Sequence, residues 1–343
     1  MSGPIGDDYR VLQIHPTLRC NLKCPHCYSS SSPQEAGELS LDLLRQTLSE
    51  ASAEGYNAVG VSGGEPLMFR SLYAVLDHAR SLGMVTTVTT NGLLLDKKRV
   101  NELRHRIDLI AISLDGTEAS HNRMRGNPRA FELMTNRLNA IREASIKFGF
   151  IFTLTMHNLH ELEEVASFAV EQGASSLQVH PLEEVGRAQS MLANSAPDDL
   201  ELAYAFVECA RLKEKYAGQL QIQFDATDRD LVRESPCRVY ADDITNFDEL
   251  VQLPLSDLVS VLVLQENGVV VPLQYGFSRA YAIGDVTQDS FRNHAARWKK
   301  ETYPSFRLLC RNVFDRMIEK DQSELPFTNW YSLIMQSSCL PLR

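Results

Sequence analysis

Short β-rich runs and longer amphipathic stretches alternate through the first two-thirds of the chain, and this alternation restricts its possible folds severely. "YRVLQIHP" reads as a strand that ends at Pro16. From Ser40, "SLDLLRQTLSEASAEG" reads as a helix, with Ser40 as N-cap and Gly55 just past its end. "NAVGVSGGEP" is a strand entering a glycine turn, "SLYAVLDHARSLG" a helix and "MVTTVTTNG" a strand. "KKRVNELRHR" is a helix and "IDLIAISLDG" a strand; a helix over 129–147, the strand "FGFIFTLT", a helix over 159–172 and the strand "SSLQVHPL" continue the series. Parallel strands need crossover helices, so these units call for a parallel sheet with helices outside it. The expectation is an α/β chain with a partial (β/α)6 TIM-like barrel over residues 1–225. The polar, glycine-rich turns all fall at the C-terminal ends of strands, where barrels place their active sites.

After "QLQIQF" at 219–224 the pattern changes. "VSVLVLQENGVVVPL" sets two β-branched runs around Asn267-Gly268, a strong hairpin signal. Helical stretches near 287–300 and 304–320 and an aromatic tail, "NWYSLIM", follow. Residues 226–343 are expected to form a smaller α+β region that contains the hairpin and caps the open side of the barrel.

Composition removes several classes of function. No apolar run approaches the ~20 residues of a membrane span, and "MSGPIGDDYR" lacks the features of a secretory signal. A net charge of −10 argues against a nucleic-acid-binding surface. Of seven cysteines, three crowd into "LRCNLKCPHCYSSSS" and four are scattered, at 209, 237, 310 and 339. That is no secreted disulfide framework, so a reducing cytoplasm is expected.

Cys20, Cys24 and Cys27 follow the first strand with spacing Cys-x3-Cys-x2-Cys, short enough for one segment to wrap one metal centre. Zinc would take a fourth ligand, for which His15 or His26 is at hand. A cubane cluster would instead leave one iron open to a non-protein ligand. The spacing alone does not choose. Elsewhere, Gly63 and Gly64 permit close backbone approach to a charged ligand, Glu65 can accept from an ammonium, and the planar fork of Arg125 suits a carboxylate. Each also has an ordinary reading: "GGE" as a turn before a helix led by Pro66, Arg125 as a surface charge, "TTNG" as a common turn.

Taken together, these motifs resemble the radical S-adenosylmethionine (radical SAM) enzymes, across about residues 10–225. The three-cysteine loop followed by Tyr28 is similar to that family's cluster loop. "SGGEP" (Ser62, Gly63, Gly64, Glu65 and Pro66) resembles its motif for the methionyl amino group. "TTNG", with Thr90 and Asn91, looks like its turn near the ribose and the cluster. "ISLDG" carries Ser113 and Asp115; with Arg125 downstream, the resemblance implies that Ser113 and Arg125 meet ribose and carboxylate. "HPLEEVGRA", with His180 and Leu182, resembles the turn near the adenine, and the backbone of His26 is implied to face the same ring. The implied cofactors are one [4Fe–4S] cluster on Cys20, Cys24 and Cys27, and S-adenosylmethionine on its open iron. The implied chemistry is one-electron cleavage of the sulfonium to a 5′-deoxyadenosyl radical, which takes a hydrogen atom from substrate.

The tail resembles the SPASM/twitch regions of peptide-modifying members, from Gln265 to Phe291, but Leu273 stands where such regions carry a cluster cysteine. Cys237 resembles a first ligand position, yet no Cys-x2-Cys pair follows, so a degenerate region without an auxiliary cluster is expected. Lacking one, redox-neutral outcomes such as epimerisation gain weight, with Cys310 and Cys339 as candidate hydrogen donors. The resemblance implies a ribosomally made peptide as substrate, cross-linked or epimerised, and an external one-electron donor such as flavodoxin or ferredoxin. So few residues precede the first strand that a leader-binding domain is not expected there; a separate protein, or the cap itself, would present the peptide. A small molecule such as a cofactor or haem precursor is the alternative substrate. A zinc-binding or inactive partner-binding scaffold is the alternative of another class. Neither a nucleic-acid nor a membrane partner is expected.

Overall fold

Eight strands run parallel around the core of the computed structural model, which describes residues 9–241, 250–319 and 327–339. The first seven are β1 (Val11–Ile14), β2 (Ala58–Val61), β3 (Val85–Thr90), β4 (Leu109–Ser113), β5 (Phe148–Leu154), β6 (Ser176–Pro181) and β7 (Gln221–Phe224). Each pairs with the next in parallel register. The crossovers carry α1 (Leu41–Ala53), α2 (Leu72–Ser81), α3 (Lys97–Leu103), α4 (Glu118–Arg125), α5 (Ala130–Glu143), α6 (Leu162–Glu171), the short α7 (Ala188–Met191) and α8 (Asp199–Lys215). The expected α/β partial barrel is therefore present, with β7 extending the six-unit pattern and α4 an addition to it. Ser40 caps α1 as expected, its hydroxyl accepting from the Leu43 amide at 3.2 Å, and Gly55 turns the chain at φ +90°.

The period-2 pattern of the strands explains the two faces of the sheet. In β3, Thr86, Val88 and Thr90 are buried, while Thr87 and Thr89 face the interior cavity. In β1, Leu12 and Ile14 pack outward, and Gln13 faces inward. Apolar residues thus hold the helices, whose own buried stripes include Leu44, Leu48 and Ala51 in α1. The inner wall is left to amides and hydroxyls such as Gln13, Thr87, Thr89, Thr153, Gln178 and Gln223. A packed barrel core would be apolar throughout; this cavity carries polar side chains among apolar ones such as Val11 and Ile151.

Beyond β8 (Thr227–Asp228), α9 (Arg229–Glu234) and α10 (Leu255–Leu258), the chain returns to the sheet. The hairpin expected around Asn267-Gly268 is formed by β9 (Val261–Leu264) and β10 (Val269–Pro272). Its first strand pairs in parallel with β1, Leu12 beside Leu262, so the hairpin is an integral part of the barrel sheet. With β11 (Gly284–Asp285) the order is β11-β10-β9-β1-β2-β3-β4-β5-β6-β7. The final elements are α11 (Phe291–Glu301), α12 (Tyr303–Glu319), β12 (Phe327–Thr328) and α13 (Trp330–Ser338), with β12 pairing β8. An ion pair from buried Lys299 to partly exposed Glu54, Nζ to Oε2 at 2.6 Å, fastens α11 to the end of α1. Among the described residues, no helix is long and apolar enough to cross a membrane.

Candidate active site

The cysteine loop leaves β1 and crosses the C-terminal mouth of the barrel. Cys20 and Cys24 are buried, Cys27 is partly so, and all three are free thiols lining one cavity. Burial pushes the Cys20 thiol up to about 12 and raises that of Cys24 as well. The sulfur of Cys20 already accepts from the Leu22 amide at 3.4 Å. Of His15 and His26, the zinc ligands the spacing allowed, His26 has one ring nitrogen engaged, and the Nδ1 of His15 is buried without a hydrogen-bond partner. His26 meets the Met124 carbonyl through Nδ1 at 2.9 Å, and His15 stacks on Tyr275 with ring centroids 4.8 Å apart. Among the described residues, no three His, Cys, Asp or Glu side chains form a single-ion site.

The glycine turn after β2 is fastened to this loop. Gly64 N donates to the Thr17 carbonyl at 2.8 Å and Glu65 N to the Arg19 carbonyl at 2.9 Å. A Cβ on Gly64 would stand 2.2 Å from Arg19 O, and one on Gly63, at φ +102°, 2.7 Å from Thr17 O. The close approach these glycines permit is therefore to the protein's own backbone, at the residues leading into Cys20. Gly64→Ala forces that backbone to move, at a cost of about 1–3 kcal/mol. The expected result is a lowered urea midpoint for the apo chain and a cysteine loop more open to proteolysis; an unchanged midpoint would contradict this packing.

Glu65 is buried, and its carboxylate accepts from Leu67 N, Thr90 Oγ1 and Asn91 N at 3.1, 2.7 and 3.0 Å. Burial still raises its pKa. With three donors in place, one lone pair remains for an ammonium. Asn91 also donates to Asn21 Oδ1 at 2.8 Å, tying the β3 turn to the cysteine loop.

Arg125 ends α4, beside the left-handed C-cap Gly126 (φ +61°), and its guanidinium sits against Cys24. Its Nη2 meets Asp115 Oδ2 at 2.6 Å, and its Nε is buried without a hydrogen-bond partner. A buried unpaired donor is costly unless a ligand completes it. An anionic ligand at this wall, a cluster on the three thiols and an ammonium beside Glu65 all fit the residues present.

All the expected cofactor contacts except Asp115 line one cavity of about 1300 Å3, as do the three cysteines. A single ligand commonly fills ~300–1,000 Å3, so the cavity has room for a cofactor and part of a second molecule. Asp115 lies behind the wall, fully buried, and accepts from Thr153 N at 3.2 Å while pairing with Arg125. Its place in the chain beside Ser113 put it among the contacts, but its position makes it the support of Arg125. Of the two candidate hydrogen donors, Cys310 is buried within α12 and Cys339 is exposed at the C-cap of α13; neither lines the cavity. Cys237 does.

Three contributors to the cavity carried no legible signal. Tyr275 and Tyr331 arrive from the C-terminal region, Tyr275 donating to Glu266 at 2.9 Å. Asp225, just after β7, accepts from Gln178, His180 Nδ1 and Gln223, the last two at 3.1 and 2.8 Å. Burial acts to lower the His180 pKa, but Asp225 outweighs it and holds the imidazole at about 8, above its ordinary 6.5. The charged imidazole therefore adds stability below pH 6.5 that fades as pH rises through 8. In Asp225→Asn, NMR titration should find His180 below 6.5; a value still near 8 would assign the shift to another group.

Residues 14–169 match the Radical SAM superfamily. The Fe-coproporphyrin III synthase of Methanosarcina barkeri is 30% identical over 188 residues, 54% of this chain and 47% of that protein. The PqqA peptide cyclase of Bradyrhizobium diazoefficiens is 28% identical over 228 residues, 64% of this chain and 59% of that one. The chain thus spans about half the length of the curated relatives it matches. Streptococcus suis SuiB bound to S-adenosylmethionine superposes with a TM-score of 0.65 over 89% of this chain and 69% of SuiB. At 18% identity that likeness is one of fold. A further structure shows SuiB bound to its precursor peptide SuiA.

Proposed function

We propose that this chain holds one [4Fe–4S] cluster on Cys20, Cys24 and Cys27 and uses S-adenosylmethionine to take a hydrogen atom from a ribosomally made peptide. The carrying observation is the convergence of those thiols, the Arg125 side chain, Glu65 and the polar residues of the inner wall on one cavity. When bound, the cofactor pair supplies one-electron cleavage of a sulfonium and hence a carbon radical. The protein's part is placement. Arg125, held by Asp115, offers its guanidinium to the carboxylate, and Glu65 offers its last lone pair to the ammonium. In this reading Ser113 meets the ribose, and His180 and Leu182 meet the adenine; all three line the cavity. The inner strand wall, from Gln13 round to Gln223, is left for substrate, and the cap over it excludes water.

A peptide substrate is supported by the likeness to the PqqA cyclase and by the SuiB–SuiA complex. A second reading, a haem precursor, is favoured by the identity to the coproporphyrin enzyme. In both, a flavodoxin or ferredoxin supplies electrons; a peptide substrate would be presented by a separate protein or by the cap itself. Residues 226–343 serve as a degenerate SPASM-like cap without an auxiliary cluster: Leu273, at φ +67°, occupies the cysteine position. Incubating the reduced enzyme and S-adenosylmethionine with deuterated peptides encoded near its gene, and separately with deuterated coproporphyrins, tests the choice. Deuterium transfer into 5′-deoxyadenosine from a peptide is the expected result; transfer only from the tetrapyrrole would overturn it.

A further inference from the structure

The cysteine loop is secured by hydrogen bonds of its own that are long: Cys27 N to Cys24 O at 3.2 Å, Ser30 N to Cys27 O at 3.3 Å, and Cys20 N to Ser32 O at 3.1 Å. A second set is shorter and comes from one distant residue. Arg187, in the connection after β6, donates from Nε to the Cys24 carbonyl at 2.9 Å, from Nη1 to Ser30 O at 2.7 Å and from Nη2 to Ser31 O at 2.6 Å. Its backbone amide adds a bond to Cys27 O at 3.0 Å. The residue before it is Gly186, at φ +59°, where a Cβ would fall 2.1 Å from Tyr28 O and 2.7 Å from Cys27 O. Only glycine lets the connection come this close.

Resting on the cluster reading above, we propose that Arg187 is a positioning residue for the cluster, setting the loop's shape and the field around it through the carbonyls of Cys24, Cys27, Ser30 and Ser31. A planar guanidinium spreads its donors in a fixed fork, so it fixes several carbonyls relative to one another, which a lysine ammonium does less well. A fixed positive charge beside a cluster also favours its reduced state, since net charge and hydrogen bonding set the potential. Outer-shell partners of this kind commonly account for 10–100-fold in metal affinity.

The test compares wild type with Arg187→Gln, Arg187→Lys and Gly186→Ala, each reconstituted anaerobically with iron and sulfide. Melting of the apo chains controls for folding. The readouts are the rate of iron loss to a chelator and the midpoint potential of the cluster. Expected are about 10-fold faster iron loss or more for Arg187→Gln, an intermediate rate for Arg187→Lys, faster loss for Gly186→Ala, and a more negative potential for Arg187→Gln. An Arg187→Gln chain that folds, keeps iron as long as wild type and shows an unchanged potential overturns the proposal. If Arg187→Gln does not fold, Arg187→Lys is judged on the same two readouts. A wild type that takes up no iron and sulfide overturns the cluster reading and this proposal with it. A wild type that holds the cluster no better than the variants overturns the clamp alone.

Discussion

Cys24→Ala is expected to abolish both cluster binding and reductant-dependent formation of 5′-deoxyadenosine. Cys24 is the middle thiol of the loop, 8% exposed, with Arg125 against it. Removing it takes away a direct ligand, so the loss should exceed the roughly 10–100-fold that outer-shell changes produce. The apo chain should survive the change, because a small buried thiol contributes packing much as a small apolar side chain does. Anaerobic iron and sulfide analysis, with the product measured by chromatography, reads the outcome. A Cys24→Ala protein that keeps iron and still releases 5′-deoxyadenosine would show that the loop is not the cluster's seat.

The second large effect is expected at Arg125. It and Asp115 are both buried, and breaking one partner from such a pair costs about 3–5 kcal/mol. Arg125→Ala should therefore lower the urea midpoint sharply, and Arg125→Ala combined with Asp115→Asn should be less destabilised than Arg125→Ala alone. The pH dependence carries a sign. Burial acts to raise the Asp115 pKa, but Arg125 outweighs it and holds the carboxyl below its ordinary 3.8. In the wild type this contributes stability above about pH 4 that is lost as pH falls through the lower folded value. With Arg125 gone, burial acts with much less opposition and the carboxyl titrates higher, so the variant should gain stability as pH falls from 8 towards 5. Urea midpoints of both proteins across that range decide it; parallel pH profiles would contradict the assigned pairing.

Much of this was legible because it is local. The turn at "SGGEP" sits at the end of β2, "TTNG" at the end of β3 and "ISLDG" at the end of β4, and a parallel barrel brings successive strand ends to one mouth. Order along the chain therefore becomes proximity in space without any tertiary calculation. The hairpin at Asn267-Gly268 was legible for the same reason, through its turn residues. Its docking beside β1 was not, because nothing local in Val261–Leu264 specifies a parallel partner some 250 residues earlier. Asp225 and Tyr331 escaped notice likewise, since neither carries a local pattern; Arg187 stands inside "HPLEEVGRA", but its grip on the cysteine loop, some 160 residues earlier, is not a local property. Glu65 and Gly64 show a different limit. Their motif marks a ligand site, while much of their hydrogen bonding and steric constraint serves to tie the β2 turn to the cysteine loop and to β3.

The central claim is that Cys20, Cys24 and Cys27 hold an iron–sulfur cluster and not zinc. Metal and sulfide analysis of the anaerobically purified wild type, followed by reduction in the presence of S-adenosylmethionine, addresses it directly. The predicted result is about four irons and four sulfides per chain, with 5′-deoxyadenosine released only when reductant is present. About one zinc per chain, no sulfide and no 5′-deoxyadenosine would contradict it.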